Sequence, residues 1–177
     1  YLVHSLCHPQ TISVIKTRAK PLNIQIKLFD EVNELDLKES FGVLFQYPDT
    51  FGNLSNLENL IKICHNNKTL VCVATDLLSL ALLKPPGEMN ADVVFGNSQR
   101  FGTPLGFGGP HAAYFATKNK FIRSIPGRII GVSIDKRNKN TYRMTLQTRE
   151  QHIRRDKATS NICTSQALLA NVSAAYA

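Results

Sequence analysis

The sequence predicts an α/β fold, a mostly parallel sheet covered by helices on both faces. Three observations carry this. Short apolar runs rich in β-branched residues alternate with stretches of helical period. Two of the runs end on polar residues, "TLVCVATD" on Asp76 and "VVFGNS" on Ser98, and the second is followed by the glycine-rich loop "GTPLGFGGP". Alternating strands and helices imply crossover connections, which make neighbouring strands parallel and put helices on the sheet faces. Ligands of such sheets bind beyond the carboxyl ends of the strands, where Asp76 and Ser98 both stand.

The elements follow in order. "YLVHSL" reads as a strand, and "HPQTISVIKTRAK" as a helix with Pro9 near its first turn and Ile12, Val14 and Ile15 as its apolar positions. "NIQIKLFD" alternates with the strand period, and "FGVLFQYPD" is a short apolar run closed by Pro48 and Asp49. Leu54, Leu57, Leu60, Ile61 and Cys64 fall at helical spacing in "NLSNLENLIKICHNNK". The β-branched run to Asp76 is the next strand. Beyond the glycine-rich loop, "GGPHAAYFATK", "RIIGVSID" and "TYRMTLQ" read as strands, with "NKFIRSI" a short helix between the first two. "TREQHIRRDKA" can start a helix with Thr148 and Gln151 in the N-cap and N3 places of a capping box, and "SNICTSQALLANVSAAYA" is a long helical pattern of small and apolar residues. No internal repeat or low-complexity linker appears.

Composition sets the outer limits. With 177 residues, 43% hydrophobic and 19% charged, the chain can bury a substantial core and reads as one domain. Every apolar run is broken well short of the roughly 18 residues of a membrane span, so a soluble protein is expected. The sequence starts at Tyr1, and "QALLANVSAAYA" reads as a helix without a C-cap, so a segment of a longer chain is expected, with any targeting peptide outside it. Cys7, Cys64, Cys72 and Cys163 form neither a C-x-x-C pair nor a dense scaffold, which points to a reducing compartment. His4, Cys7 and His8 lie close together, but no second ligand pair follows at zinc-like spacing, and no metal site is expected.

The net charge of +8 is concentrated. Residues 118–157 hold twelve Lys and Arg against Asp135, Glu150 and Asp156, so this stretch carries +9 and the remainder −1. Such a block suits a solvated, salt-bridged surface, an acidic protein partner or the anionic groups of a cofactor. Aromatic side chains for base stacking are lacking among the basic ones, so nucleic acid is not expected as a partner.

Pyridoxal phosphate chemistry needs a carboxylate that keeps the pyridine nitrogen protonated and a lysine that holds the aldehyde as a Schiff base. In the common arrangement the two stand on successive strand ends some twenty-odd residues apart. Asp76 supplies the carboxylate, and 23 residues later Gln99 holds the place of the lysine. A glutamine cannot form an imine. The loop therefore has the shape of a cofactor site without the group that anchors the cofactor.

"CHPQT", "GVLFQYPD", "ATDLLSL", "PPGEM", "SQRFGTPLGFGGPHAAYFA" and "LQTREQHIRRDKATSNICT", in this order from Cys7 onwards, together resemble the N-terminal half of the P-protein family of the glycine cleavage system, the decarboxylating glycine dehydrogenases. The resemblance implies a pyridoxal-phosphate-dependent transferase fold, aminotransferase fold type I, with residues 1–177 as the central part of a large domain. It implies two similar halves, fused or separate, with the Schiff-base lysine in the C-terminal half in a His-Lys-Thr-Phe context. Here the corresponding stretch is "SQRF", Ser98 to Phe101. It implies as partners the catalytic half and the lipoylated H-protein, a dimer or heterotetramer, and no nucleic acid or membrane. The location implied is the mitochondrial matrix in a eukaryote or the cytoplasm in a bacterium.

No catalytic residue is expected in this segment. Asp76, Ser98, Gly108 and His111 are the candidate cofactor contacts. For Asp76 the simpler reading is a cap on the following "LLSLALL", and for His111 a histidine with satisfied hydrogen bonds beside a strand start. Arg149, His152, Arg154 and Arg155 are candidate partner contacts, with an internal salt-bridge network as the alternative.

Overall fold

Strands β1 (Leu2–His4), β2 (Lys27–Phe29), β3 (Gly42–Tyr47), β4 (Leu70–Thr75), β5 (Val93–Asn97) and β6 (Ala113–Thr117) make one sheet in the order β2-β1-β3-β4-β5-β6. All neighbours pair parallel except β5 and β6, which are antiparallel. The computed structural model describes residues 1–147, 150–158 and 166–177. They fall into two compact units, Tyr1–Thr117 with Gln166–Ala177, and Lys118–Ser165.

Period-2 alternation sorts the central strands between two cores. Val43, Phe45 and Tyr47 of β3, Val71 and Val73 of β4, and Val94 of β5 face one side. There they meet Leu57, Ile61 and Cys64 of helix α3 (Leu57–Asn66). Leu44 and Ala74 face the other side with Val3, against Ile12 and Ile15 of helix α1 (Pro9–Ala19). Helices therefore lie on both faces, as the βαβ reading requires. Ile61 and Cys64 are fully buried, and burying an Ile side chain contributes roughly 1.5–3 kcal/mol, so a charge at position 61 would unseat α3. The helix starts where Asn56 accepts from the Asn59 amide at 3.3 Å, which satisfies one of its orphan donors.

The smaller elements depart from the pattern for local reasons. The alternation of "NIQIKLFD" predicts a longer strand, yet β2 is three residues at the sheet edge. The turn through Asn23, at φ +53°, returns the Ile24 amide to the Ala19 carbonyl, so the chain is still closing α1 at that point. Helix α2 (Glu34–Lys38) has only five residues, too few for a periodic signal. Val14 is exposed on α1, whose contact is carried by Ile12 and Ile15, with Ala19 buried at its end.

Gly96 of β5 has no room for a side chain. A Cβ on Gly96 would lie 2.2 Å from the Thr75 carbonyl oxygen and 2.9 Å from the Tyr114 hydroxyl. The bare backbone lets Tyr114 of β6 cross β5 and donate to the Thr75 oxygen at 2.8 Å. Burial, and then the Asp76 carboxylate, push the Tyr114 hydroxyl up to about 12, so it remains a neutral donor.

Helix α5 (Ala167–Tyr176) belongs to the same unit through Ser173 and Tyr176. The Tyr176 ring lies against Phe101 with centroids 5.5 Å apart. The earlier part of the long helix expected from residue 160 lies outside the described residues.

The second unit is a hairpin of β7 (Ile129–Ile134) and β8 (Asn140–Leu146) followed by the single turn of helix α4 (Gln151–Arg154). Asp135 shapes the hairpin turn by accepting from the Arg137 and Lys139 amides at 2.7 and 2.9 Å. "NKFIRSI" forms a 3-10 turn over Asn119–Phe121 and no longer helix. The expected capping box is not what starts α4. Thr148 lies outside the described residues, Glu150 holds the N-cap place, and Gln151 is the first helical residue. The Glu150 side chain makes no cap bond because its buried carboxylate faces Arg128, with Nη2 at 3.3 Å. Arg155, at φ +53°, ends the helix after one turn.

Candidate functional site

Parallel pairing brings the carboxyl ends of β3, β4 and β5 to one edge of the sheet. They open on a cleft of about 470 Å³ whose lining includes Ala74 and Phe95. Gln46, Asp76, Asn97, Gln99 and Arg100 supply its polar groups from the strand ends, and His8 and Thr11 border it from the start of α1. Asp76 and Ser98 thus stand at the same edge, as two polar residues closing parallel strands must.

Asp76 has both carboxylate oxygens engaged. Oδ1 accepts from the Leu78 amide at 3.1 Å and caps the 3-10 turn Leu77–Ala81. Oδ2 receives Arg100 Nη1 in a close ion pair. The cap matches the simpler sequence reading. Arg100 is the cleft residue that reading missed, although it is the cation next to Gln99 in the same loop.

Gln99 has its own work at the mouth of β5. Its backbone amide is accepted by Asn97 Oδ1 at 3.1 Å, and its Nε2 donates to the Pro104 and Leu105 carbonyls at 3.5 and 3.4 Å. The side chain thereby fastens the glycine-rich loop from within.

Ser98 is buried, and its hydroxyl is turned to helix α5, sharing a 2.8 Å bond with Ser173 Oγ and donating to the Ala112 carbonyl at 3.3 Å. Gly108 lies on the exposed loop at φ +99° with open space around it, a conformation that disfavours any side chain. His111 is half-buried, and its buried Nδ1 has no hydrogen-bond partner among the described residues, whereas the simpler sequence reading expects satisfied hydrogen bonds.

The candidate partner residues stand elsewhere. His152, Arg154 and Arg155 are exposed in the second unit, and Arg149 lies outside the described residues. In the "HSLCH" stretch each side chain is engaged separately: His4 Nε2 with the Asp30 carbonyl at 3.2 Å, Cys7 Sγ with the Leu44 carbonyl at 3.8 Å, and His8 Nδ1 with Thr50 Oγ1 at 3.0 Å. No group of three or more possible metal-ligating His, Cys, Asp or Glu occurs among the described residues. No helix among them is long and apolar enough to cross a membrane.

The model of the glycine cleavage system P-protein family matches residues 1–177. The chain belongs to the P-protein family. The mitochondrial glycine dehydrogenase (decarboxylating) of Dictyostelium discoideum is 59% identical over 177 residues, which is all of this chain and 18% of that protein. The chain thus spans about a fifth of the length of that relative. The crystal structure of a glycine decarboxylase (P-protein) of the glycine cleavage system, in inhibitor-bound form, superposes with a TM-score of 0.90 at 36% identity, covering 99% of this chain and 41% of that one. More remotely, a protein described as an O-acetylhomoserine (thiol)-lyase from Campylobacter jejuni, carrying N'-pyridoxyl-lysine-5'-monophosphate, matches with a TM-score of 0.55 at 14% identity over 67% of this chain and 30% of that one. That likeness shows the fold alone, the mostly parallel sheet of fold type I pyridoxal phosphate enzymes.

The P-protein cleft can now be compared with the group its fold implies. Gln99 offers an amide, which cannot form a Schiff base, and Asp76 offers a carboxylate already paired with a cation. These residues do not fit pyridoxal phosphate.

Proposed function

We propose that this chain is the N-terminal-half segment, without the Schiff-base lysine, of a glycine cleavage system P-protein. The complete enzyme decarboxylates glycine with pyridoxal phosphate and transfers the aminomethyl group to the lipoyl group of H-protein. In this reading residues 1–177 are the central part of a large aminotransferase-like domain, and the catalytic C-terminal half binds the cofactor. The single observation that carries it is Gln99 at the mouth of β5, bound into its own loop by two carbonyls, within a chain that matches the family from end to end.

The partners proposed are the catalytic half, in the same chain or as a separate subunit, and lipoylated H-protein, within a dimer or heterotetramer. Arg149, His152, Arg154 and Arg155 are the proposed contacts, and the exposure of the last three supports that role. The mitochondrial matrix is the proposed location in a eukaryote, in keeping with the name of the Dictyostelium relative, and the cytoplasm in a bacterium. A second reading, a purely supporting half with no direct part in the chemistry, is favoured by the paired state of Asp76.

Borohydride reduction of the full-length protein followed by peptide mapping tests the proposal. The trapped lysine is expected outside residues 1–177. A stoichiometric adduct on a lysine within them would overturn it.

A further inference from the structure

Loss of the lysine removes only the covalent hold on the cofactor. A pyridoxal phosphate site also has a carboxylate for the ring nitrogen and a floor under the ring, and a chain that keeps both can bind the cofactor without a covalent bond. This chain keeps Asp76 at the strand end, apolar Ala74 and Phe95 in the lining, and a cleft of about 470 Å³. Gln99 alone therefore does not decide whether the cofactor binds here.

Arg100 does. We infer that its guanidinium is the resident cation of this cleft, standing in for the protonated pyridine nitrogen and closing the site to pyridoxal phosphate whatever residue occupies position 99. The inference rests on reading the cleft as the counterpart of the family's cofactor site.

The chemistry of the pair supports it. An ionised carboxylate accepts hydrogen bonds and donates none, so a neutral pyridine nitrogen, itself an acceptor, finds nothing at Asp76. A protonated pyridine would have to share the carboxylate with a guanidinium that cannot lose its charge, and two cations would then crowd one anion. The other carboxylate oxygen is held by the Leu78 amide. A neutral ring can accept only from Arg100 itself, which holds it off the carboxylate by the width of the guanidinium, so no ring reaches Asp76 while Arg100 stays. The Arg100 side chain is 64% exposed, so solvent screens the pair, and its removal is expected to change ligand access more than stability.

The experiment uses the full-length protein with pyridoxal phosphate, borohydride trapping and peptide mapping of residues 1–177. Gln99→Lys alone is expected to give no adduct at position 99. Gln99→Lys combined with Arg100→Met is expected to give about one equivalent there. An adduct in the single variant with Arg100 in place overturns the inference, and so does its absence from a folded double variant. The proposed function fails separately, on a lysine trapped within residues 1–177 of the unaltered protein. Should the double variant not fold, crystals of the unaltered protein soaked in pyridoxamine phosphate decide. The expected result is no ring against Asp76, and a ring bound there beside an intact Asp76–Arg100 pair overturns the inference.

Discussion

Ser98 and Ser173, 75 residues apart in sequence, share a buried 2.8 Å hydrogen bond that ties the end of β5 to helix α5. Ser173 Oγ also lies 3.4 Å from the Ser98 carbonyl, so the two residues meet through side chain and backbone together. At the sequence level Ser98 is a candidate cofactor contact. Its hydroxyl instead serves the fold. Replacing either serine by alanine removes the shared bond but leaves the Ser98 hydroxyl the Ala112 carbonyl and the Ser173 hydroxyl the Ser98 carbonyl, so a cost of about 0.5–1.5 kcal/mol is expected, with the double variant costing less than the sum. Chemical denaturation of the four proteins in the cycle measures this, and strict additivity would show that the pair is not coupled.

Gly96 predicts a larger effect in the sheet. The Cβ of Gly96→Ala would meet the Thr75 carbonyl oxygen, which cannot retreat without breaking the β4–β5 register. A loss of about 1–3 kcal/mol is expected, as for other overpacked cores. Tyr114→Phe removes only the bond to that oxygen and is expected to cost about 1 kcal/mol. Denaturation midpoints of the two variants give the order, and a neutral Gly96→Ala would contradict the close approach.

The elements legible in the sequence are those in which one physical signal dominates. β3 announces itself by a short apolar run closed by Pro48 and Asp49, β4 by a β-branched run, and α3 by Leu57, Ile61 and Cys64 on one face with a cap at Asn56. Elements decided by one long-range contact are not legible. The start of α4 depends on Glu150 turning to Arg128, 22 residues away, and its end on Arg155 in a left-handed conformation. In the same way Asp76 and Gln99 are singled out by spacing alone, as a carboxylate and a glutamine 23 residues apart at successive strand ends. The pairing of Asp76 with Arg100 is a choice of side-chain direction that spacing does not encode.

Burial sets the response to alkali. It pushes the Cys7 thiol from 9.0 up to about 12 and the Cys64 thiol from 9.0 up to about 11, while Tyr114 rises from 10.0 to about 12. Each folded value lies above the unfolded one, so the folded state favours the neutral group. The stability this represents is fully present below about pH 9 and is lost as pH rises from there towards 11–12. Melting temperature is expected to be insensitive to these groups between pH 7 and 8.5 and to fall above pH 9. In the native protein at pH 8 both thiols are expected to resist a disulfide reagent and to react on unfolding. Rapid native labelling of Cys7 or Cys64 would show that they are not held in the core.

The basic block supplies the last prediction, which rests on the proposed reading of this chain as the half without the Schiff-base lysine. Residues 151–157 are all exposed, so His152, Arg154 and Arg155 lie where a partner can reach them. Charge complementarity acts mainly on association rate and register, and an H-protein of this family is expected to be acidic. Arg154→Glu combined with Arg155→Glu in the full-length enzyme is therefore expected to raise the apparent KM for H-protein about tenfold or more, or to weaken assembly with the catalytic half. Added salt should mimic the effect in the unaltered enzyme, because exposed charges are screened over roughly 10 Å at 0.1 M. Glycine-dependent changes in the cofactor spectrum should move much less. The alternative, that these arginines only balance charges within their own unit, predicts a lower melting temperature with partner affinity and salt dependence unchanged per folded molecule. Steady-state kinetics against H-protein at two ionic strengths, beside a thermal melt of the same samples, separates the two.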